Sequence, residues 1–204
     1  MSGTLAWMVV GLGLLLLVVR RRSLAVAIVT LQALLLAAKA LADASTRGEV
    51  AAGLALGVRA LALAALFLFV VSRTREPRPV RAGTAPLVRA GAAVAFALAL
   101  IWLVPQLGLG SRNVERAVLA LVAFGLVTAA SRRATLFQVL GIVLVENGLA
   151  LAALRLPGGS ALIEFGVAFD LLLVALVAVV FHERIFAEFG AGDTAALRSL
   201  RDHP

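Results

Sequence analysis

Long apolar stretches follow one another along almost the whole chain, and only short polar segments separate them. The stretches that could form spanning helices cover residues 4–19, 23–43, 50–72, 86–104, 114–131, 134–154 and 161–182. An α-helix needs about 20 mostly apolar residues to cross the hydrocarbon core of a bilayer. The pattern therefore predicts an all-α fold, an integral membrane helical bundle with seven transmembrane helices.

Composition narrows the possible function classes. Hydrophobic residues make up 62% of the chain, which excludes a water-soluble domain with a polar surface. The segments between the predicted spans are short and leave no room for a soluble catalytic or nucleotide-binding domain. The absence of cysteine excludes thiolate zinc sites and iron–sulfur ligation. We therefore expect no active site, no metal, no cofactor and no small-molecule substrate.

The arginines between the spans are divided unequally between the two sides of the predicted bundle. Twelve fall on one side, at positions 20–22, 73, 75, 78, 81, 132, 133, 184, 198 and 201, and four on the other, at positions 47, 112, 116 and 155. Lysine and arginine accumulate in cytoplasmic loops of membrane proteins. The distribution predicts an amino terminus outside, a carboxyl terminus in the cytoplasm and a multi-pass protein of the cell membrane. It explains the net charge of +8 without nucleic acid.

Two acidic residues lie near the middle of consecutive predicted spans, Glu146 in the sixth and Asp170 in the seventh. A charge at the bilayer centre costs about 2.5 to 3.5 kcal/mol on insertion scales, and such residues usually face a bundle interior or a water-filled cavity. Burial disfavours the ionised carboxylate, whereas a nearby cation favours it. Because a carboxyl group held between these effects can exchange protons, Glu146 and Asp170 are candidates for a proton relay.

Arg59 lies in the third span, about ten residues from its predicted outer end, and requires an anionic partner at similar depth. Glu146 and Asp170 are the candidates for that partner. Two interpretations remain open. The pair could be a static ion pair that holds helices together, or Arg59 could lower the proton affinity of the carboxyl group and so tune a relay.

The second span carries Gln32, Lys39 and Asp43 on one broad face. Lys39 lies near the outer end and can pair with Asp43 one turn later, which favours an interfacial anchor over a member of the relay. Asn147 directly follows Glu146 and is expected to hydrogen-bond to another helix or to water. The first and fourth spans have almost no polar interior residues, and we interpret them as packing or lipid-facing helices.

The last three predicted spans resemble a known family. The segments SRRATLFQVLGIVLVENGLALAAL and IEFGVAFDLLLVALVAVVFHERI, with the tail GAGDTAALRSLRD, are similar to hydrogenase-4 component E, a membrane subunit of group 4 hydrogenase complexes such as formate hydrogenlyase. The resemblance is carried by the ENG triplet, by the pattern IEFG separated by three residues from an aspartate, and by the tail. Arg59 also matches a basic residue of that family's third helix.

These three spans are also similar to the K subunit of bacterial complex I (the 4L subunit of the mitochondrial enzyme) and to the C subunit of Mrp-type antiporters. The similarity divides the chain into a four-helix extension (1–110), a K-like module (111–185) and a cytoplasmic tail (186–204). The K subunit offers one carboxylate on each of two successive helices to a hydrated proton path. Asp170 matches the second, whereas the first position holds Val143 and Glu146 follows three residues later.

The resemblance implies a proton-conducting or gating subunit, without an active site of its own, in a redox-driven complex that pumps protons or other cations. Its partners would be antiporter-like and other membrane subunits and the lipid bilayer. Glu146 and Asp170 would be protonatable stations, and Arg59 would modulate them. A structural scaffold that joins the antiporter-like and electron-transfer modules is the alternative. An independent carrier is disfavoured, because the chain shows no internal repeat and no proline inside a span.

Overall fold

The computed structural model of the chain describes residues 3–73, 85–156, 158–161, 163, 166 and 167. These residues form six α-helices and no β-strand: α1 (Gly3–Val18), α2 (Arg22–Asp43), α3 (Arg47–Arg73), α4 (Pro86–Leu103), α5 (Arg112–Ser131) and α6 (Thr135–Ala153). Helical backbone resumes at residues 159–161, where the seventh span is predicted. Asp170, most of that span and the predicted tail (186–204) lie outside the described residues.

Five of the described helices, α2 to α6, are long and apolar enough to cross a membrane, so the chain is a multi-pass membrane protein. The first helix is shorter, with 16 residues. At a rise of about 1.5 Å per residue it extends over roughly 24 Å, which is less than the roughly 30 Å of a typical hydrocarbon core. The all-helical architecture predicted from the hydrophobic pattern is therefore confirmed.

The start of α3 differs from the prediction, because the helix begins at Arg47 and the apolar stretch begins at residue 50. Thr46 and Glu49 form a reciprocal cap at this end. The Glu49 amide donates to the Thr46 hydroxyl at 3.2 Å, and the Thr46 amide donates to the Glu49 carboxylate, also at 3.2 Å. Such a capping box satisfies amide groups that the first helical turn leaves unpaired. The cap extends the helix beyond its apolar part.

The core of the bundle is built on the contact between α5 and α6, with α1 and α2 packed against them. Two glycines allow the backbones of α5 and α6 to touch. A Cβ atom at Gly141 would lie 2.6 Å from the Ala129 amide nitrogen and 2.7 Å from the Gly125 carbonyl oxygen. Small residues at such crossings are typical of membrane helix pairs, which gain stability from close packing.

Replacing Gly141 by alanine is expected to lower the free energy of unfolding by about 1 to 3 kcal/mol, the usual cost of overpacking. The added methyl group meets backbone atoms, so the helices must separate to accommodate it. Thermal unfolding in detergent would measure the effect. Gly91→Ala in α4 is the matched control, because a Cβ at Gly91 meets nothing within 4 Å. Equal stability of the two variants would contradict the close-packing argument.

Two buried arginines hold the carboxyl-terminal end of α1. Arg89 of α4 donates from Nε and Nη2 to the Leu17 carbonyl at 3.4 and 3.1 Å. Arg132 donates from Nη2 to the carbonyls of Leu16 and Leu17 at 3.3 and 3.0 Å, and also to the carbonyl of Val19. The last turn of a helix leaves carbonyl groups unpaired and carries partial negative charge, and both guanidinium groups compensate for it.

Arg132 lies between α5 and α6, as predicted, but it is buried, with only 2% of the residue exposed. Its guanidinium also lies over the ring of Phe137, with Cζ 4.2 Å from the ring centroid. Burial, with the neighbouring charges of Arg89 and Arg20, lowers the pKa of Arg132 to about 10, so the group stays protonated at neutral pH. Arg132 thus contributes to the packing of α1 as well as to the charge of its loop.

Candidate functional site

Arg59 and Glu146 form an ion pair between the middle of α3 and the second half of α6. The guanidinium donates from Nη2 to the Glu146 Oε2 atom. The Arg59 side chain is 4% exposed and that of Glu146 is 11% exposed, so both charges are largely removed from solvent. Of the two carboxylates considered as partners for Arg59, the structure thus brings Glu146 to it.

The depth of the pair explains why the two charges meet. Glu146 lies seven residues before Ala153, the last residue of α6, which places it about 10 Å from that end of the helix at 1.5 Å per residue. Arg59 lies twelve residues into α3, so about 18 Å of helix separates it from Arg47. At these depths neither charge reaches the ends of its helix readily, and each stabilises the other.

A cavity of about 270 Å³ adjoins the pair, and both charged side chains line it. Its remaining walls are apolar and come from α3, α6 and the residues after them. They are formed by Leu56, Leu149, Ala150, Ala153, Ile163, Gly166 and Val167. A cavity holds water when it is large enough and offers polar partners, and this one has a guanidinium and a carboxylate in its wall.

Asn147, on another side of α6, takes part in a chain of hydrogen bonds that crosses the bundle. Its Nδ2 atom donates to the Gln32 Oε1 atom at 2.8 Å, and the Gln32 Nε2 atom donates to the Val9 carbonyl of α1, also at 2.8 Å. Asn147 and Gln32 are each 1% exposed. These bonds join α1, α2 and α6, in agreement with the expectation that Asn147 hydrogen-bonds another helix.

Lys39 pairs with Asp43 within α2, as the spacing of four residues suggests. Their side chains are 22% and 54% exposed, so the pair lies near the surface of the bundle and away from the Arg59–Glu146 pair. Both residues line a second cavity of about 170 Å³, together with Glu49 and Arg155. The structure therefore places Lys39 in a different cavity from Glu146.

Gln32 was not predicted to have contacts distinct from those of Lys39 and Asp43, which share one face of α2 with it. The structure uses that face for two different contacts. Gln32 bonds to α1 and α6, while Lys39 bonds to Asp43. The available signal was an isolated amide inside an apolar stretch, since such a group needs a partner in a membrane. That signal does not identify the partner helix.

Within the described part of the chain, no group of three or more His, Asp or Glu side chains is placed to hold a metal ion. Besides the Lys39–Asp43 pair near the surface, the fold brings one acid and one base, Glu146 and Arg59, together inside the bundle. This arrangement can bind a proton or a small cation in competition with the guanidinium, and it offers no nucleophile beside a base.

The chain is similar to the uncharacterized protein Rv0085 of Mycobacterium tuberculosis (strain ATCC 25618 / H37Rv), with 32% identity over 163 residues that cover 73% of each chain. No protein-family model matches the chain, and no solved structure matches it. Identity at this level over most of both sequences indicates common descent. The chain therefore belongs to the same protein family as Rv0085.

Proposed function

We propose that the protein is a non-catalytic membrane subunit of a redox-driven complex of the membrane-bound hydrogenase type, which translocates protons or other cations. In this role Glu146 is a protonatable station on the ion path. The observation that carries the proposal is the buried Arg59–Glu146 pair in the wall of a cavity of about 270 Å³. Buried ionisable groups in membrane helices that face a cavity commonly belong to ion pathways.

The geometry supports a simple exchange at this station. A proton that arrives through the cavity competes with the Arg59 guanidinium for the Glu146 carboxylate. When the proton binds, the ion pair loses one of its charges, and the attraction between the two side chains weakens. When the proton leaves, the ion pair forms again. Asp170 is the proposed second station, and it lies outside the described residues.

The proposal includes the finer topology and the partners. It assigns seven spans, an outside amino terminus and a cytoplasmic carboxyl terminus in the cell membrane, supported by the arginine distribution. The likeness to hydrogenase-4 component E supports antiporter-like and other membrane subunits as neighbours. The same likeness supports the division into an extension (1–110), a module similar to the complex I K subunit (111–185) and a tail (186–204).

Proton uptake by inverted membrane vesicles, driven by the intact complex, tests this function. Glu146→Gln and Asp170→Asn keep the size of each side chain and remove its titratable proton. We expect either variant to reduce the initial rate of uptake at least tenfold at matched assembly levels. The control is Glu115→Gln in α5, a buried acid that accepts a hydrogen bond from the Leu109 amide at 3.1 Å and lines neither cavity.

The outcome separates the proposed station from a structural charge. If Glu115→Gln pumps at the rate of the unmodified complex and Glu146→Gln does not, loss of a buried acid alone is not the cause. If Glu146→Gln and Asp170→Asn both assemble and pump normally, the relay is refuted.

A scaffold is the second candidate function, and the same ion pair favours it for a different reason. The pair connects α3, which packs mainly on α2, with α6 in the centre of the bundle. A subunit that only joins an antiporter-like module to an electron-transfer module would need such connections and no continuous path. In that case the Glu146→Gln variant would lower the yield of assembled complex while leaving the pumping rate per complex unchanged.

A further inference from the structure

We propose that a water-filled path leads to Glu146 from the end of the bundle where α2 ends and α3 begins. The path enters through the cavity lined by Lys39, Asp43, Glu49 and Arg155, and continues into the cavity beside the Arg59–Glu146 pair. The inference rests on the proposed function, because it names the side from which the Glu146 station exchanges its proton.

The first of these cavities, here called the outer cavity or mouth, is lined by several charged and polar side chains; the cavity beside the Arg59–Glu146 pair is called the inner cavity. Two bases, Lys39 and Arg155, and two acids, Asp43 and Glu49, line the mouth's volume of about 170 Å³, and the Ser160 hydroxyl adds a further polar group. A water molecule needs only about 10 to 15 Å³ of such space and two to four polar partners. The opposite charges keep the mouth hydrated while nearly cancelling one another, so cations and anions are not strongly selected there.

Ala153 and Ile163 line both cavities, so the two cavities adjoin each other at these residues. Ala153 follows Glu146 by seven residues, which is close to two helical turns, so both residues lie on the same face of α6. Ala150 lies between them on that face and lines the inner cavity. Leu149 lines it as well, so the part of α6 that faces the two cavities extends from the Glu146 carboxylate to Ala153 over about 10 Å.

The rest of the inner cavity restricts what can pass. Leu56, Ile163 and Val167 form apolar walls and offer no hydrogen bonds to a large polar solute. Water and a hydrated proton can cross such a short apolar segment when polar groups lie at both ends. Here the charged mouth lies at one end and the Arg59–Glu146 pair at the other.

Single-cysteine labelling tests the path directly, because the chain has no native cysteine. A thiol reacts as the thiolate, which forms in water and not in lipid. Ala153→Cys and Ser160→Cys place the thiol in the path. Ile142→Cys places it on α6 outside both cavities, at a position that is 43% exposed on the surface of the described bundle. Ser45→Cys, in the exposed segment between α2 and α3, marks the side of the mouth.

A charged, membrane-impermeant thiosulfonate is applied to right-side-out and to inverted vesicles that contain the intact complex. We expect Ala153→Cys and Ser160→Cys to react from the side on which Ser45→Cys reacts, at least tenfold faster than Ile142→Cys. Ser160→Cys is nearly isosteric and tests the mouth even if Ala153→Cys fails to assemble. Equal rates for the path positions and Ile142→Cys, or reaction from the opposite side, would overturn the path.

The labelling result and the pumping result can fail separately. Labelling as expected with normal pumping by Glu146→Gln would establish the path and refute the proton role of Glu146. If the path positions are not labelled and Glu146→Gln loses pumping, the proton role of Glu146 stands and the proposed path is refuted. When both succeed, modification of Ala153→Cys should also reduce proton uptake at least twofold, because the attached group fills the passage.

Discussion

Arg59→Met is expected to destabilise the protein by about 3 to 5 kcal/mol, the usual cost of removing one partner from a buried ion pair. The variant keeps most of the side-chain volume but removes the guanidinium that faces the Glu146 carboxylate. The carboxylate then loses the cation that it faces inside the bundle. Thermal or chemical unfolding in detergent would measure the change in the free energy of unfolding.

The double variant Arg59→Met, Glu146→Met separates the charge effect from packing. Replacing both members of a buried pair by apolar groups is often neutral or stabilising, so the double variant should recover most of the loss. Lys39→Met is the matched control, since it breaks an ion pair whose side chains are 22% and 54% exposed. Exposed pairs contribute about 0 to 1 kcal/mol. A double variant as unstable as Arg59→Met would contradict the assignment of the loss to an uncompensated charge.

Arg132→Met is expected to cost about 2 kcal/mol, because each buried carbonyl left unpaired costs roughly 1 to 3 kcal/mol. The variant removes the donor to Leu16 and Val19, while Leu17 keeps its hydrogen bond from Arg89. The variant also removes the desolvation cost of burying the Arg132 charge, which offsets part of the lost stability.

The two tryptophans offer a direct measurement, since Trp7 lies in α1 and Trp102 lies in α4. We expect their fluorescence to report separation of α1 at a lower temperature in Arg132→Met. Arg133→Met, at the exposed neighbouring position, is the control and should change stability by less than about 1 kcal/mol. Equal effects of the two variants would show that the charge of the loop matters more than the contact with α1.

The helices were predictable because the hydrophobic effect acts through local sequence. Each apolar stretch up to the sixth became a helix, with ends within three residues of the prediction. The largest difference, at the start of α3, arises from Thr46 and Glu49, whose cap involves polar residues that a search for apolar segments does not weigh. The capping pattern is visible in the sequence and would have corrected the boundary.

The side-chain partners were predictable only where chemistry left few choices. Arg59 had two candidate acids at its depth, and the structure joins it to Glu146. Arg132 had many possible surroundings. Its burial against the end of α1 depends on packing between segments that lie 116 residues apart in the sequence. The partners of Gln32 depend on packing in the same way. A single sequence contains no direct information about such long-range packing.

The Arg59–Glu146 pair also bears on how the protein is made. Its two residues are 87 positions apart, so at about 5 to 20 residues per second roughly 4 to 17 s of translation separate them. During that interval α3 must enter the bilayer without Glu146. Its twelve Leu, Phe and Val residues favour insertion by about 0.3 to 0.6 kcal/mol each, which outweighs the roughly 3 kcal/mol cost of one arginine. The helix therefore inserts independently, and the ion pair forms late, when α6 enters the bilayer.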